Sequence, residues 1–193
     1  MSGPGPRGGG PATVVLLNGA SSAGKSSTAR AIQQIARQPL FHVGMDDFLG
    51  MMPVASRVDP AGLVFEPVHA EGEPPMLAMR LGPLADHVLR AMRHAVAAMA
   101  DDGLDLIVDE VLDGPAGEAE YRRLLARHRL LLVGLDAPVA LLEEREAARG
   151  DRLSGQARWQ AARVHAGRAY DLMVDAALPA DARARVIRDA FDL

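Results

Sequence analysis

One segment near the N-terminus constrains the fold of this chain more than any other. Residues 19–26 read Gly-Ala-Ser-Ser-Ala-Gly-Lys-Ser and match the pattern G-x-x-x-x-G-K-[ST] in full. The β-branched apolar run from Thr13 to Leu17 precedes it and is typical of a buried strand, and a helical pattern begins at Ser27. A strand that passes through such a loop into a helix predicts a phosphate-binding site. A chance glycine-rich turn before a helix is the alternative.

The residue types in the loop suit this chemistry. Glycines allow the backbone to curl so that successive N–H groups point at phosphate oxygens, and the helix N-terminus adds the positive end of its dipole. We expect Lys25 to carry its charge to the β- and γ-phosphates of a nucleotide and Ser26 to ligate Mg²⁺ through its hydroxyl. The predicted cofactors are therefore ATP and Mg²⁺, bound by Gly19, Ala20, Ser21, Ser22, Ala23, Gly24, Lys25, Ser26 and Ser27.

Composition narrows the classes of function. Lysine and arginine total 21 residues, and Lys25 is the only lysine among them. The net charge of −4 argues against a basic surface for nucleic acid or an anionic membrane, and the absence of cysteine excludes thiolate chemistry. No apolar run approaches the ~20 residues that span a bilayer, and the N-terminus lacks the apolar core of a signal peptide. We therefore predict a cytoplasmic protein with small-molecule partners.

Strand and helix patterns alternate along the chain, which indicates right-handed βαβ units. This predicts a three-layer α/β fold with a mainly parallel, five-stranded sheet. The strands are expected at residues 13–17, 40–45, 104–108, 130–135 and 172–175, and the helices at 27–36, 77–100, 117–127, 138–148, 156–167 and 180–191. We expect residues 12–193 to form a single domain, preceded by a flexible glycine- and proline-rich tail, residues 1–11.

A long stretch after the second predicted strand shows no periodicity. Residues 48–75 contain prolines, glycines, methionines and scattered apolar residues, a composition that favours a covering flap. We place an acceptor-side flap at residues 48–79, where methionines would offer an adaptable apolar wall to a substrate. Packing of the same residues onto the sheet is an equally good interpretation.

Carboxylates follow two of the predicted strands. Because ligands gather at the carboxyl ends of parallel strands, we expect Asp46 and Asp109 to face the phosphate-binding loop. Asp109 is the predicted second metal ligand, with Glu110 as the alternative residue and a helix cap or solvated strand end as the alternative role. Asp46 is the predicted general base that accepts a proton from an alcohol, with Asp47 next in order. An N-cap for a short helix at residues 48–51 is the competing interpretation of this pair.

Two arginines flank a glycine after the fourth predicted βα unit. Arg149 and Arg152 are predicted to close over the γ-phosphate from a helical lid at residues 149–156, neutralising charge in the transition state. The alternative is a helix-terminal arginine beside an exposed Asp151–Arg152 pair. For His165, on the helix after the lid, a core or capping role is favoured over catalysis.

Several spaced motifs together resemble one known family. They are L-N-G-A-S-S-A-G-K-S (17–26), V-G-M-D (43–46), D-L-I-V-D-E-V (105–111), R-E-A-A-R-G-D-R (145–152) and V-H-A-G-R-A-Y-D-L-M-V-D (164–175). In order and spacing, this set resembles the chloramphenicol phosphotransferase family of P-loop kinases. The resemblance runs from Thr13 to Asp175, and its most specific parts are A-R-G-D-R and the V-H…Y-D run.

The resemblance implies a P-loop kinase fold like that of shikimate and nucleoside monophosphate kinases. It also implies transfer of the γ-phosphoryl group of ATP to the primary hydroxyl of chloramphenicol. Lys25 and Ser26 would bind ATP·Mg²⁺, Asp46 would be the general base, and Arg149 and Arg152 would clamp the phosphates. The chain departs from the family at Asp47, where a small hydroxyl residue is expected, and residues 59–80 match no motif.

Two other functions fit the same residues. One is a kinase for a metabolite such as a nucleoside, a sugar or a shikimate-like alcohol. The other is a regulatory module that binds nucleotide without turnover, for which the arginine lid and Asp46 would be unnecessary. The acidic balance disfavours a nucleic-acid 5′-kinase. The sequence leaves open whether the chain forms a homo-oligomer and whether GTP replaces ATP.

Overall fold

The computed structural model describes residues 10–69, 72, 74–149 and 154–193. Its elements, in chain order, are β1 (Thr13–Asn18), α1 (Lys25–Ile35), β2 (Leu40–Gly44), α2 (Met45–Gly50), α3 (Val54–Arg57), β3 (Leu63–Val68), β4 (Met76–Leu81), α4 (Pro83–Asp101), β5 (Asp105–Glu110), α5 (Ala116–Leu124), β6 (Arg129–Asp136), α6 (Val139–Arg149), α7 (Gln156–Ala161), β7 (Leu172–Asp175) and α8 (Ala180–Phe191). Arg152 and nearly all of the expected tail, residues 1–11, lie outside the described residues.

Five parallel strands form the central sheet, in the order β2-β5-β1-β6-β7. β1 lies in the middle, and its side chains alternate between the two faces. Val15 and Leu17 pack into an apolar cluster with α1 and α8. Val14 and Leu16 point the other way, into a cluster with α4. Helices thus cover both faces, and the expected three-layer α/β fold with a mainly parallel five-stranded sheet is confirmed.

The largest departure from the expected elements lies in the acceptor-side flap, residues 48–79. The stretch without periodicity contains an antiparallel hairpin, β3–β4, in which Leu63 pairs with Leu81. The helix expected from residue 77 was therefore wrong over its first turn, because residues 77–81 belong to β4 and α4 begins at Pro83. A proline suits the first position of a helix, where its missing N–H is not needed.

Smaller corrections concern element ends near the carboxyl edge of the sheet. β2 ends at Gly44, so Asp46 does not close a strand; it lies with Asp47 in the first turn of α2, where negative charge is favourable. Asp109 is part of β5 rather than the residue after it. The helix expected over residues 156–167 ends at Ala161.

α4 is the helix with most residues in the described chain, and it is amphipathic. Its buried side chains include Leu89, Met92 and Val96, which recur at the spacing of one helical face. Within the described ranges, no helix is both long and apolar enough to cross a membrane.

Candidate active site

The loop predicted to bind phosphate connects β1 to α1. Ser22 and Gly24 have φ angles of 64° and 86°, the left-handed conformation that curls the backbone. A side chain at Gly24 would also collide, because its Cβ would lie 2.7 Å from Nη2 of Arg183. The Ser22 hydroxyl is buried and has no hydrogen-bond partner among the residues that the structure describes. A curled loop with an unpaired buried hydroxyl suits an anionic ligand.

Lys25 lies over the first half of this loop. Its Nζ donates hydrogen bonds to the carbonyl oxygens of Gly19, at 2.9 Å, and Ala20, at 3.1 Å. The residue is 9% exposed, so its charge is directed into the loop rather than into solvent. This is the position from which a P-loop lysine reaches the β- and γ-phosphates.

Asp109, the penultimate residue of β5, lies beside the loop. Its Oδ2 lies 2.7 Å from Nε2 of His42, and the Ser26 hydroxyl hydrogen-bonds to the same carboxylate. Burial alone would raise the pKa of Asp109, but the hydrogen bond from His42, the charge of Lys25 and the Ser26 hydroxyl together hold it below its usual value. The structure therefore brings an ionised carboxylate and a hydroxyl next to the phosphate-binding loop.

The pair formed by Ser26 and Asp109 fits a magnesium ion. Mg²⁺ prefers oxygen ligands and usually keeps several waters and substrate phosphates, so one or two protein oxygens suffice. In the described part of the chain no group of three or more His, Cys, Asp or Glu side chains is arranged to hold a metal by itself. A metal here would be shared with the nucleotide.

Glu110, the alternative metal ligand, points to the opposite face of β5. Its carboxylate pairs with Arg93 and accepts a hydrogen bond of 2.8 Å from the Tyr121 hydroxyl. Burial raises the pKa of Glu110, and Arg93 opposes this shift. Because side chains alternate along a strand, Asp109 and Glu110 cannot both face the loop. The geometry therefore favours Asp109.

Asp46 and Asp47 line the same cleft as the phosphate-binding loop, and both are exposed. Asp47 folds back toward β2, because a Cβ added at Gly44 would lie 2.7 Å from its Oδ2 and 3.8 Å from Oδ1 of Asp109. The Asp47 carboxylate therefore lies on the Asp109 side of the cleft.

The cleft itself has a volume of about 1060 Å³ and extends in two directions from the loop. One end is bounded by Arg145, Arg149 and the loop that follows β7, residues 177–180. The other end is bounded by α2 and by Leu63, Phe65 and Met79 of the β3–β4 hairpin. Arg149, the last residue of α6, is exposed at the first end, whereas Arg152 lies outside the described residues.

A residue that the sequence analysis did not single out joins the two described sides of the predicted lid, whose residues 150–153 lie outside the described part of the chain. Glu146 of α6 is 2% exposed, and its two carboxylate oxygens accept 2.8 Å hydrogen bonds from the backbone N–H groups of Gly155 and Ala157. It thereby fixes the start of α7 against α6. The sequence gives no signal of this role, because Glu146 is one of three glutamates on α6 and burial alone distinguishes it from the others.

Comparison with known protein families identifies the family of this chain, which the geometry of the site alone does not. Residues 12–192 match the family described as chloramphenicol phosphotransferase-like protein. The chain belongs to this family. The resemblance seen in the sequence is confirmed, and the chain is a small-molecule phosphotransferase of the kinase type.

Similar proteins agree with this assignment. A Mycobacterium tuberculosis protein provisionally named an O-phosphotransferase is 31% identical over 184 residues, which cover 92% of this chain and 81% of that protein. The M. tuberculosis APS kinase, solved with AMPPNP and APS, has a TM-score of 0.64 at 16% identity and covers 95% of this chain and 99% of its own. An unliganded sugar kinase from Janibacter sp. has a TM-score of 0.63 at 18% identity, covering 94% and 95%. These structures share the P-loop kinase fold.

The V-H…Y-D run that resembles this phosphotransferase family lies beneath the phosphate-binding loop. Asn18, the last residue of β1, donates hydrogen bonds to the carbonyl of Val164 (2.9 Å) and to the hydroxyl of Tyr170 (2.6 Å), and it accepts one from the N–H of Leu112 (2.9 Å). Nδ1 of His165 lies 2.8 Å from the same hydroxyl. The geometry gives His165 a supporting position rather than one at the cleft.

Arg183 is a second residue of this phosphotransferase that sequence patterns missed. It is buried on α8, where its guanidinium donates to Thr28 Oγ1 at 2.8 Å and to the carbonyls of Ala176 and Leu178 at 2.8 and 2.7 Å. Burial and the nearby Arg145 lower its pKa. Arg183 ties the loop after β7 to the start of α1, and an arginine on an apolar helix face was its only sign in the sequence.

Proposed function

We propose that this chain transfers the γ-phosphoryl group of ATP to a primary hydroxyl of chloramphenicol. The observation that carries the proposal is the placement of Lys25, Ser26 and Asp109 in one cleft with Asp46. Lys25, Ser26 and Asp109 suit a nucleoside triphosphate with its metal ion, and Asp46 suits the hydroxyl of an alcohol. The family resemblance supplies the identity of the acceptor.

The nucleotide would bind with its phosphates on the backbone N–H groups of residues 20–26 and the positive end of α1. Its base would extend toward Arg145 and residues 177–180, the end of the cleft that lies away from α2. Ser26 and Asp109 would hold Mg²⁺, which supplies charge neutralisation at the β- and γ-phosphates when bound.

The transfer step follows from these positions. The acceptor hydroxyl oxygen forms a bond to the γ-phosphorus while the bond from that phosphorus to the β,γ-bridging oxygen breaks, so that ADP leaves. Asp46 takes the proton of the hydroxyl. Lys25 and Arg149 neutralise charge on the transferring group, and Arg152 is proposed to join them from the lid.

The acceptor end of the cleft favours a molecule with an apolar body. Leu63, Phe65 and Met79 face it from the hairpin, and a smaller cavity of about 310 Å³ continues beside Leu81 and Trp159. Mostly apolar walls with a few polar groups are typical of small-molecule sites. A kinase of a polar metabolite would need more hydrogen-bonding groups at this end.

The test is ADP release with chloramphenicol, compared with a panel of nucleosides, sugars and shikimate-like alcohols. We expect chloramphenicol to give the highest kcat/KM and Asp46→Asn to lower kcat by about 10²–10⁴-fold. Asp47→Asn is the matched control, because it makes the same change one residue along α2 and should retain most activity. The base assignment fails if Asp47→Asn is the inactive variant, and the acceptor assignment fails if a metabolite is preferred.

A further inference from the structure

A buried glutamine of α7 contacts the phosphate-binding loop directly. Oε1 of Gln160 accepts a hydrogen bond of 2.6 Å from the backbone N–H of Ser21, and the residue is only 3% exposed. This contact is not part of the P-loop motif. The two residues lie 139 positions apart in the sequence, and only the fold brings them together.

The contact fixes how the side-chain amide is oriented. A backbone N–H can only donate, so the oxygen of the amide must face Ser21 and the NH₂ group must face away from it. Among the hydrogen bonds of the described residues, none involves Nε2 of Gln160. Among the described residues, the buried side-chain atoms without a hydrogen-bond partner are Ser22 Oγ and Arg93 Nε, so Nε2 of Gln160 is open to the cleft that this residue lines and can donate to a ligand there.

The position of Gln160 indicates which ligand this NH₂ group would meet. Gln160 lines both the main cleft and the 310 Å³ cavity, together with Met45, which precedes Asp46. No residue of the phosphate-binding loop lines the smaller cavity; its walls come from Met45, from β4, from residues 111–113, from α7, and from Arg163 and Val164 shortly after that helix. The NH₂ group therefore lies where the cleft opens toward the acceptor, away from residues 177–180.

Ser21 marks the end of the loop where phosphoryl transfer takes place. Lys25, which reaches the β- and γ-phosphates, is hydrogen-bonded to the carbonyls of Gly19 and Ala20, the residues immediately before Ser21. Gln160 is thus bonded to the loop beside the transferring group and not beside the nucleoside.

We propose that Gln160 binds the acceptor by donating a hydrogen bond from Nε2, while its Oε1 keeps that acceptor in register with the phosphate-binding loop through Ser21. The inference rests on the proposed function and adds the acceptor's chemical class. The acceptor is a compact alcohol whose apolar body lies along Met79 and Trp159 and which carries a second oxygen near its reacting hydroxyl. A site built around such a hydrogen bond discriminates strongly against analogues that lack the partner group.

The experiment uses chloramphenicol, and the best alcohol of the panel if another is preferred, with the full-length chain and saturating ATP·Mg²⁺. Gln160→Met removes both ends of the contact at nearly constant volume. Gln160→Glu keeps an oxygen for the Ser21 N–H but replaces the donor with a second carboxylate oxygen and adds a negative charge. We expect both variants to raise the acceptor KM by ~10-fold or more, as loss of a buried hydrogen bond does, and Gln160→Met to change the ATP KM much less.

Gln156→Met is the matched control. Gln156 lies one turn earlier on α7, is 4% exposed, and its Nε2 contacts Sδ of Met79 at 3.1 Å rather than the loop. Equal effects of the two methionine variants on the acceptor KM would show loss of α7 packing and overturn the proposal. So would a normal acceptor KM in Gln160→Glu, or an ATP KM that rises more than the acceptor KM in Gln160→Met. Thermal unfolding of each variant establishes that it folds.

A second measurement does not depend on turnover. In ¹H–¹⁵N NMR spectra, the chemical shift of the side-chain NH₂ group of Gln160 should change when the acceptor is added to protein saturated with AMPPNP and Mg²⁺. The signal is identified by its loss in Gln160→Met. A signal that responds to the nucleotide and not to the acceptor would overturn the inference. Failure of the proposed function is separate: the wild-type chain would then transfer no phosphoryl group to any alcohol tested.

Discussion

The end of the cleft that we propose for the phosphates (the phosphate end) and the end that we propose for the alcohol (the acceptor end) are built in different ways. The phosphate end is formed by the last residues of β1 and β5 and the loop between β1 and α1, all at the centre of the sheet. The acceptor end is formed by α2, the β3–β4 hairpin and α7, which meet through contacts between distant segments. An example is the 3.1 Å hydrogen bond from the N–H of Leu77 to the carbonyl of Gly155. Phosphate chemistry requires a few residues at fixed spacing, whereas the shape of an acceptor pocket follows from packing.

Lys25 gives the largest expected effect and tests whether the phosphate end depends on one side chain. Lys25→Met should lower kcat/KM by about 10³-fold, because the charge that meets the γ-phosphoryl group is lost. Lys25→Arg should recover little of it, since the larger planar guanidinium cannot occupy the space of a compact ammonium. Steady-state kinetics with ATP and chloramphenicol measure both variants. Activity near the wild-type level in Lys25→Met would break the assignment of this end.

Gly155 tests the acceptor end through its backbone. Its φ of 94° is left-handed, and a Cβ there would lie 2.8 Å from the carbonyl oxygen of Pro75, which immediately precedes β4 of the hairpin. Gly155→Ala should therefore destabilise the fold by about 2 kcal/mol or more, from the backbone conformation and the collision together. The acceptor KM should rise more than the ATP KM, because β4 moves and the phosphate-binding loop does not.

The control for this variant is Gly167→Ala. Gly167 also has a positive φ, of 69°, but an added Cβ would meet nothing within 4 Å. It should carry only the conformational cost of about 1–2 kcal/mol and leave the acceptor KM unchanged. If both variants lose the same stability in chemical denaturation, the close approach of the hairpin to Gly155 is not a constraint.

The difference between the two ends also explains which parts of the structure the sequence alone predicts. The five strands of the central sheet, their parallel arrangement and the phosphate-binding loop were predictable, because strand periodicity, the alternation of strands with helices and the G-x-x-x-x-G-K-S spacing are all signals in the local sequence. The hairpin was missed, because apolar residues at 77, 81 and 84 fit a helical spacing as well as a strand. Gln160 and Glu146 were missed for another reason: their partners, Ser21 and Gly155, are identified only by tertiary contacts. Polar residues on a helix give no sequence signal of burial.

Glu146 joins the two ends of the cleft, so its removal should affect both moderately. Glu146→Gln replaces one carboxylate oxygen, which accepts a backbone N–H, with an NH₂ group that cannot accept. We expect a loss of about 1–2 kcal/mol in the free energy of unfolding and a parallel rise in the KM for ATP and for the acceptor. Glu144→Gln, an exposed position on the same helix, should match the wild type. A rise confined to one substrate would show that the lid serves only that end.

The smallest expected effect concerns the support beneath the phosphate-binding loop and depends on pH. Burial, opposed in part by Asp136, lowers the pKa of His165. Since the folded-state pKa lies below that of the unfolded chain, the unfolded chain takes up the proton first as pH falls. The stabilisation is therefore complete above about pH 6.5 and decreases below it. The wild-type Tm should fall further between about pH 7.5 and about pH 5.5 than the Tm of His165→Gln. His87→Gln, at an exposed position of α4, should show the same change of Tm with pH as the wild type. If Tm changed equally with pH in all three proteins, the imidazole beside Tyr170 would accept a proton without disturbing Asn18. A positive charge beneath the phosphate-binding loop would then not destabilise the fold.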